Sequence, residues 1–361
     1  MNILIFEDSS QSSYGGGQKI SKIVIDSLRR EHKVYISDYT DNSFFQNDIS
    51  SLHSGSITLP SKYFSNKFLN RFFQLLYLPI SLIILKSFIK KNKIELYCAT
   101  TKLSLFTVYI LHKLTKVNYV YHAHMAFDKG NFDKIYSLLL SKSQLIIAVS
   151  NFVKYNILSF GKELTVKVLY NPIEFTIGNN KSIQISNDFI IAFFGTIKTE
   201  KGVNVLMDVA EYFSSKHSFV KFWVFGEGIM LDKLKNEQKS NVKFFGHVSD
   251  VEYYLESYVN LLLLPSIIPE ACPTIILQSF SKGIPVITTN IGGQNEIVKD
   301  SVNGFVVPIN CSESIVEKIN ILIENPEIYK RISCNNLKKS AEFNDLNQYQ
   351  LDVLQLINST P

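Results

Sequence analysis

Short apolar runs alternate with amphipathic stretches along the first half of this chain, and this alternation limits its fold more than any other feature. The runs Asn2–Phe6 and Val34–Ser37 have the length and composition of buried strands. Between them, Gln18–Arg30 carries its apolar residues on one helical face. Further apolar runs, each after a helical stretch, lie at Glu95–Ala99, Tyr119–His122 and Gln144–Val149. Strands and helices in this repeated order predict a parallel sheet with crossover helices.

The same pattern begins again after Asn171-Pro172. A polar segment, Thr176–Ser186, is the predicted linker, and a second series of strands and helices follows it. Its predicted strands are Phe189–Phe194, Val220–Phe225, Val242–Phe245, Leu261–Leu264, Pro285–Thr288 and Phe305–Val307, with helices at Val203–Phe213 and Gln348–Ile357. A chain of 361 residues also exceeds one ordinary core. We therefore predict an α/β protein of two domains, 1–173 and 174–340, with a ligand cleft at the carboxyl ends of their strands.

The cysteines and the N-terminus indicate a protein of the reducing cytosol. The four cysteines are far apart and form no CxxC pair, and scattered thiols of this kind fit a reducing compartment. The first residues, MNILIFED, are typical of a buried strand. They lack the basic region and the cleavage site of a signal peptide, so none is expected.

Positive charge is concentrated in the first half of the sequence. Residues 1–175 contain 21 Lys and Arg against 12 Asp and Glu, whereas the remainder contains 16 against 20. A basic half can face an anionic partner, either nucleic acid or an anionic membrane surface. An ordinary solvated surface is the remaining interpretation.

The longest apolar stretch, Phe68–Ile89, must be compared with a membrane-spanning helix. The apolar segment between Arg71 and Lys86 is shorter than the about 20 residues that a span requires. Pro79 lies in the middle, so we predict two helical pieces that meet near it. The stretch is then either a buried interdomain or core helix, or a surface that dips into a bilayer, because its apolar residues interleave with basic ones.

Two motifs of the first half follow predicted strands. Gly15-Gly16-Gly17 opens a helix, where glycine lets the backbone approach a phosphate or an acceptor, although a flexible turn has the same composition. His122 and His124 lie at a strand end and point the same way if the strand continues. Substrate contact, a metal pair and ordinary structural histidines all remain open for them.

Two longer motifs lie in the second half. Gly195–Gly202 follows a strand and contains Lys198 and Lys201, which either reach a phosphate as point charges or remain solvated. The other motif, Pro265–Pro308, carries Glu270 in a loop ahead of a predicted helix. It continues through further glycine turns, and the ordered series fits the binding of a diphosphate and a sugar.

The segment PSIIPEACPTIILQSFSKGIPVITTNIGGQNEIVKDSVNGFVVP resembles the retaining glycosyltransferases of family 4, which have the GT-B architecture. Their C-terminal domain typically reads PS, then E-G-F-G-x4-E-A-x-A-x-G-x-P-V-I, G-G-x-x-E and G-x-L-V-x-P, and a variant begins E-N-C-P. Weaker similarity extends over nearly the whole chain, at Gly15–Gln18, Asn171–Glu174, Gly226–Gly228 and Val242–Gly246. The resemblance implies two Rossmann-like parallel-sheet domains facing a central cleft, with a terminal helix, 341–361, that crosses back to the first domain.

The resemblance also implies roles for individual residues. Glu270 matches the first Glu of the family's E-x7-E motif, which contacts the transferred sugar near its reacting face. Lys201 matches the lysine that neutralises the diphosphate leaving group, and His124, with His122 second, matches a strand-end histidine that approaches the donor sugar. Glu270, His124 and Lys201 are therefore the predicted catalytic residues. The predicted donor-binding residues are Gly16, Gly17, Thr196, Lys198, Ala271, Cys272, Pro273, Thr274 and Gln278.

Two of these positions depart from the family pattern. Gln278 replaces the second Glu, which grips the ribose hydroxyls, and its hydrogen bonds lack charge assistance. Thr196 replaces an Arg that helps to neutralise the diphosphate, unless Lys198 substitutes for it. Both changes predict weaker nucleotide binding.

The activity implied by the resemblance is transfer of a hexose-type sugar, with retention, from a UDP- or GDP-sugar to a lipid-linked or polysaccharide acceptor. The expected context is surface polysaccharide synthesis, such as O-antigen or capsule, by a cytoplasmic protein at the inner face of the membrane. No metal cofactor and no nucleic-acid partner are expected. A non-catalytic or weakened subunit that partners another transferase remains an alternative, as does an epimerase or phosphorylase of the same fold. A nicotinamide dehydrogenase is disfavoured because the chain has no GxGxxG followed by a ribose-binding acid.

Overall fold

A computed structural model of the protein describes residues 1–7, 16–38, 55–59, 67–174, 177–178, 188–237, 239–343 and 345–360. The chain divides into two compact units, of which the first comprises Met1–Asn171 and Leu346–Pro361 and the second Pro172–Asp345. The sequence places the boundaries at 173/174 and 340/341, whereas in the structure they fall at 171/172 and 345/346. The predicted linker Thr176–Ser186 lies outside the described residues apart from Ile177 and Gly178.

The first unit contains a seven-stranded sheet in which every pairing is parallel. Its strands are β1 (Asn2–Glu7), β2 (Lys33–Asp38), β3 (Gly55–Thr58), β4 (Leu96–Ala99), β5 (Asn118–Ala123), β6 (Leu145–Ala148) and β7 (Val166–Val168). The strand order is β3-β2-β1-β4-β5-β6-β7. The connecting helices are α1 (Gly16–Leu28), α2 (Lys67–Lys91), α3 (Lys102–Thr115), α4 (Asp133–Ser141) and α5 (Asn151–Leu158).

Both faces of this sheet are apolar, because parallel strands are covered by helices on both sides. Ile3 and Ile5 of β1 belong to a core that α1 shares. Side chains alternate along a strand, so Phe6 points to the opposite face, where its ring meets Tyr97 at 5.9 Å. Helix α3 lies on that face, and the hydroxyl of its N-cap residue, Thr101, accepts a hydrogen bond from the amide of Ser104 in a capping box.

Helix α2 runs through Pro79 without a break, so the predicted division into two pieces is wrong. Proline removes one intrahelical hydrogen bond and crowds the preceding turn. Tertiary packing outweighs this cost, since Leu85 and Ile89 are buried and the Phe88 ring meets Tyr35 edge-on at 5.8 Å. Within the described ranges, no helix combines the length and the apolar character needed to cross a membrane.

The second unit contains a six-stranded parallel sheet of order β10-β9-β8-β11-β12-β13. Its strands are β8 (Phe189–Phe194), β9 (Val220–Phe225), β10 (Val242–Gly246), β11 (Leu261–Leu264), β12 (Val286–Thr289) and β13 (Gly304–Val307). Its helices are α6 (Val203–Lys216), α7 (Leu231–Asn236), α8 (Val251–Ser257), α9 (Thr274–Ser281), α10 (Gln294–Ile297), α11 (Ser312–Glu324) and α12 (Pro326–Ser340), and a short 3₁₀ helix spans Thr199–Lys201.

A last helix, α13 (Leu346–Asn358), belongs to the first unit. It packs against α1 and contributes Tyr349, Val353 and Ile357 to the same core as Ile3 and Ile5. Its buried Gln350 accepts a hydrogen bond from Arg30 and donates one to Asp26 at 3.1 Å. Helix α13 therefore completes the first core.

The strand order reverses once in each sheet, between β1 and β4 and between β8 and β11. Ligands of open parallel sheets bind outside the carboxyl ends of the strands at such a switch point. In the second unit, the loops that follow β8 and β11 are Gly195–Gly202 and Pro265–Pro273, the two segments that the sequence singles out.

Candidate active site

A lysine and a carboxylate face each other across the switch point of the second sheet. Lys201 follows β8 and Glu270 follows β11, and Nζ of Lys201 lies 2.7 Å from Oε2 of Glu270. The two side chains are 22% and 14% exposed, so both are partly withdrawn from water but reachable from it. Two predicted catalytic residues, 69 positions apart in the sequence, are thus brought into direct contact.

A buried hydroxyl holds the other oxygen of this carboxylate. Ser266, which is fully buried, donates a hydrogen bond from Oγ to Oε1 of Glu270. The carbonyl of Ser266 in turn accepts a hydrogen bond from Oγ1 of Thr289, the last residue of β12, at 2.5 Å. Neither Ser266 nor Thr289 is among the predicted site residues, although Ser266 belongs to the PS that opens the family-like segment. Both carboxylate oxygens therefore have fixed partners, which restricts the rotamers of Glu270.

Backbone contacts lock the loops around the Lys201–Glu270 pair together. The amide of Ile267 donates to the carbonyl of Glu200 at 3.0 Å, which ties the loop after β11 to the loop after β8. Gly202 has φ +73°, and a Cβ added there would lie 1.8 Å from the carbonyl oxygen of Pro265. Only glycine combines this conformation with this approach.

The glycine turn at Gly292-Gly293 supports the same carboxylate from the next loop. The amide of Gly293 donates to the carbonyl of Glu270 at 2.7 Å, and a Cβ on Gly293 would lie 2.0 Å from the carbonyl oxygen of Ala271. The sequence suggests a second helix-start binding site at this turn. In the structure α10 spans only four residues, and its buried Gln294 donates to Thr289. The turn therefore serves close packing behind Glu270.

The remaining predicted residues of the loop after β8 lie on its outer part. Thr196 is exposed and Lys198 half-buried. Between them, the amide of Ile197 donates to the carbonyl of Glu227 at 2.8 Å, and its carbonyl accepts from the amide of Met230 at 3.1 Å. This loop is thus fixed to the loop after β9 as well as to the loop after β11.

The start of α9 supplies backbone amides beside Glu270. The helix begins at Thr274 with Pro273 as its N-cap residue, and the first amides of a helix have no acceptor within it. The dipole of α9 adds partial positive charge there, which favours an anion such as a phosphate. Cys272 is buried in this loop, whereas Ala271 and Gln278 are half-buried, with Gln278 one turn into the helix.

Two histidines, His122 and His124, lie at the carboxyl end of strand β5 in the first unit. His122 is buried and His124 half-buried, with ring centroids 4.1 Å apart and an interplanar angle of 51°. Burial lowers the pKa of His124 to about 4 and that of His122 well below its ordinary value, so both imidazoles are neutral near pH 7. Nε2 of each ring is buried without a hydrogen-bond partner among the described residues.

The metal-pair interpretation of these histidines requires further ligands. In the described part of the chain, no group of three or more His, Cys, Asp or Glu side chains is arranged to hold a metal ion.

The switch point of the first sheet contains a carboxylate that the sequence motifs do not single out. Glu7, the last residue of β1, is buried and accepts hydrogen bonds from Ser21 Oγ at 2.7 Å and Thr100 Oγ1 at 2.9 Å. Gly16 and Gly17 begin α1 and are exposed, whereas Gly15 lies outside the described residues. The sequence feature that could have identified Glu7 is an acidic residue directly after a predicted apolar strand.

The predicted site residues are thus divided between the units. Gly16, Gly17 and His124 belong to the first unit and all the others to the second. Within the second unit, the loops after β8 and β11 bring Lys201 and Glu270 together.

Comparison with known proteins supports these features. The family model of group 1 glycosyl transferases matches residues 178–339, within the second unit. An uncharacterized glycosyltransferase of Haemophilus influenzae is 24% identical over 350 residues, which cover 92% of this chain and 93% of that protein. The capsular polysaccharide biosynthesis glycosyltransferase CapM of Staphylococcus aureus is 29% identical over 215 residues, which cover 54% of this chain and 56% of CapM.

Among solved structures, Anabaena Alr3699/HepE in complex with UDP superposes with a TM-score of 0.79 at 20% identity and covers 99% of this chain and 100% of its own. The same protein has also been solved with UDP-glucose. The structural match and the two parallel sheets establish the GT-B fold. The family match and the names of the relatives support a group 1 glycosyltransferase, an enzyme of class EC 2.4.

Proposed function

We propose, for a chain with the fold and the relatives of a glycosyltransferase, that it is a retaining enzyme of family 4. It transfers a hexose-type sugar from a UDP- or GDP-sugar to a hydroxyl of a lipid-linked or polysaccharide acceptor, in the synthesis of a surface polysaccharide such as O-antigen or capsule. The observation that carries this proposal is the 2.7 Å contact between Lys201 and Glu270 at the switch point of the second sheet. A nucleotide sugar needs a cation for its diphosphate directly beside a polar partner for its sugar, and these loops bring the two together.

Lys201 would stabilise the leaving group. Transfer breaks the bond between the anomeric carbon and the diphosphate oxygen, and the departing nucleoside diphosphate keeps the electron pair. Negative charge develops on that oxygen, and a fixed ammonium group lowers the energy of the charged transition state. The first amides of α9 would add a second stabilising contribution. With these groups, we propose that no metal ion is needed.

Glu270 would contact the sugar, and its carboxylate must exchange Lys201 for the substrate when a donor binds. The hydrogen bond from Ser266 holds the carboxylate in place during this exchange. His124 would approach the donor sugar from the first unit. Because its low pKa keeps it neutral, His124 can form a hydrogen bond to a sugar hydroxyl without placing positive charge near the anomeric carbon.

The comparisons guide the choice of substrates. The HepE neighbour was solved with UDP and with UDP-glucose, and CapM is named for capsular polysaccharide synthesis. UDP-hexoses and polysaccharide precursors are therefore the first substrates to test, with GDP-hexoses beside them. A lipid-linked acceptor would place the protein at the inner face of the cell membrane.

The test is transfer from labelled UDP- and GDP-hexoses into lipid extracts and polysaccharide fragments, with products identified by mass spectrometry. We expect a product whose anomeric configuration matches that of the donor. Glu270→Ala should abolish its formation, whereas Glu324→Ala, which removes an exposed carboxylate at the end of α11, should not. A product of inverted configuration would contradict retention, and a requirement for a divalent metal ion would contradict the metal-free mechanism.

A non-catalytic or weakened nucleotide-sugar-binding subunit is the second candidate. Thr196 and Gln278 favour it, because each removes a charge that the family pattern supplies. Calorimetric binding of UDP and GDP, measured together with turnover of the donors, distinguishes the two candidates. Binding without turnover of any donor, together with increased activity of a co-purified transferase, would support the subunit and contradict the enzyme.

A further inference from the structure

A chain of buried hydrogen bonds runs from the start of α10 to the carboxylate of Glu270. Gln294, the first residue of α10, is fully buried. Its Nε2 donates to Oγ1 of Thr289 at 2.7 Å and to the carbonyl of Thr289 at 3.1 Å. Oγ1 of Thr289 donates to the carbonyl of Ser266, and Oγ of Ser266 donates to Glu270. Gln294 is therefore connected to the carboxylate through two buried residues, Thr289 and Ser266.

Each hydrogen bond in this chain has only one possible direction. A carbonyl oxygen only accepts, so the atom of Gln294 that faces the Thr289 carbonyl must be the amide nitrogen. The single hydroxyl proton of Thr289 goes to the Ser266 carbonyl, so the hydroxyl oxygen accepts from Gln294. These two bonds share one hydroxyl group, and bonds linked in this way strengthen each other in a buried environment. Gln294 therefore determines how firmly Thr289 holds Ser266.

The backbone closes this chain into a ring. Gly293 directly precedes Gln294, and its amide donates to the carbonyl of Glu270 at 2.7 Å. Two consecutive residues thus hold Glu270 at two points. Gly293 holds its backbone directly, and the side chain of Gln294 holds its carboxylate through the intermediate hydroxyls. Loss of the Gln294 amide would open the ring on the side of the carboxylate and leave the backbone contact in place.

A glutamine at this buried position carries a cost in stability. Its Oε1 is buried and has no hydrogen-bond partner among the described residues. Such an atom loses its hydration without compensation. A methionine would fill a similar volume without this cost, but it could not donate to Thr289. The hydrogen bonds to Thr289 are therefore what the amide of Gln294 contributes, and they lead to Glu270.

The Glu270 carboxylate depends on this support when a donor binds. Without a donor it has two side-chain partners, Lys201 at 2.7 Å and Ser266. Once Lys201 turns to the diphosphate, Ser266 is the one of these two that remains. The orientation of the carboxylate then depends on how firmly Ser266 itself is held.

We propose that Gln294 is a positioning residue, which holds the Glu270 carboxylate in place through Thr289 and Ser266. Because Gln294 is fully buried, it acts through this chain and not by touching a substrate. The effect on catalysis rests on the proposed function, since it requires Glu270 to contact the transferred sugar. Loss of the amide should then lower kcat more than it changes KM, because the donor is still bound by other groups.

The first test is the kinetics of Gln294→Met, with the donor and acceptor that give product in the labelled screen. We expect kcat to fall about tenfold, less than the about 100-fold lost on a displacement of about 1 Å, and KM for the donor to stay within about twofold. Asn241→Leu is the matched control. Asn241 is also buried in the second unit, donates to the carbonyl of Ala210 at 2.8 Å and has an Oδ1 without a partner among the described residues. It precedes β10, at the amino ends of the strands, so its loss should lower the Tm without changing kcat.

A double-mutant cycle tests whether the effect passes through Ser266. Ser266→Ala removes the last link, so Gln294→Met should lower kcat no further in that background. Thr289→Val removes the middle link and should behave like Gln294→Met, whereas Thr289→Ser keeps the hydroxyl and should retain the wild-type kcat. Independent effects on the structure would multiply instead.

Crystal structures without a donor provide a readout that needs no activity. The wild type should show the Glu270 carboxylate in one rotamer, bonded to Ser266. Gln294→Met should show it in more than one rotamer, and Asn241→Leu should look like the wild type. This readout decides the positioning role even if the wild type transfers no sugar, a result that would refute the proposed function alone.

Three results would overturn the proposal. The first is a single, wild-type rotamer of Glu270 in Gln294→Met. The second is an equal loss of kcat in Gln294→Met and Asn241→Leu, which would make the effect a general loss of stability. The third is a further tenfold loss of kcat when Gln294→Met is added to Ser266→Ala, which would show that Gln294 acts by another route.

Discussion

Substitution of Gly293 by alanine tests how far the packing behind Glu270 determines activity. Gly293 has φ −72°, a conformation that alanine adopts without strain, so the change is purely steric. The new Cβ would lie 2.0 Å from the carbonyl oxygen of Ala271, whereas real Cβ contacts are at least 3.0 Å. The carbonyl of Ala271 must therefore move by about 1 Å, since the glycine backbone is held by its hydrogen bond to Glu270.

The expected effects follow from this displacement. A misplacement of about 1 Å at a reacting centre costs about 100-fold in rate, because the substrate no longer sits in a near-attack geometry. Overpacking of this kind costs about 1–3 kcal/mol of stability. For a unit of this size, that corresponds to a fall in Tm of about 2–12 °C.

The assay pairs initial rates of transfer with thermal unfolding. Gly130→Ala is the control, because a Cβ at Gly130 would meet nothing within 4 Å, and it should leave both quantities unchanged. Wild-type rate and Tm for Gly293→Ala would refute the steric argument. A lower Tm with an unchanged kcat would refute the argument that this contact positions Glu270 for catalysis.

Three further predictions concern charge and protonation. Glu270→Gln should reduce the rate of transfer at least 100-fold. The same variant should bind UDP about fivefold more tightly, because Lys201 no longer has to break an ion pair with Glu270 before it contacts the diphosphate. Weaker UDP binding by calorimetry would contradict this. Gln278→Glu should bind UDP about fivefold more tightly through a charge-assisted hydrogen bond, and Gln278→Ala should bind it more weakly than the wild type. Equal UDP affinity of the wild type and both variants would exclude a ribose contact by residue 278. Finally, stability to urea should fall as the pH drops from 6.5 toward 4, because the unfolded chain binds protons that buried His122 and His124 do not. His124→Gln should flatten this slope by up to about 1.4 kcal/mol per pH unit between these values, and an unchanged slope would contradict the burial effect.

The fold followed from the sequence because its strands are short, apolar and regularly spaced. Phe189–Phe194, Val220–Phe225 and Leu261–Leu264 have the predicted bounds, and the GT-B fold is confirmed. The short edge strand β3 has no comparable apolar run, since Gly55–Thr58 contains one aliphatic side chain, and its pairing depends on its partner β2.

The error at α2 arose where tertiary contacts outweigh local preference. Proline predicts a helix boundary, yet packing carries α2 through Pro79. The binding site suggested at Gly292-Gly293 stays a prediction, and the sequence did not reveal that this turn is in close backbone contact with the loop after β11. Motif spacing singled out Lys201 and Glu270, but it could not give the hydrogen bond from Ser266, because a serine hydroxyl has no periodic signature. The chemical roles of these residues stay predictions until the variants are measured.

Because α13 belongs to the first unit, the two units become complete at different times during synthesis on the ribosome. The second unit is one continuous segment, whereas the first unit lacks α13 until residues 346–358 have been made. At about 5–20 residues per second, synthesis from Pro172 to the end of α13 takes roughly 10–40 seconds. During that interval Ile3, Ile5 and the inner side of α1 lack their final cover. We therefore expect the nascent first unit to expose this apolar surface until α13 is made, and deletion of α13 should destabilise the first unit while sparing the second.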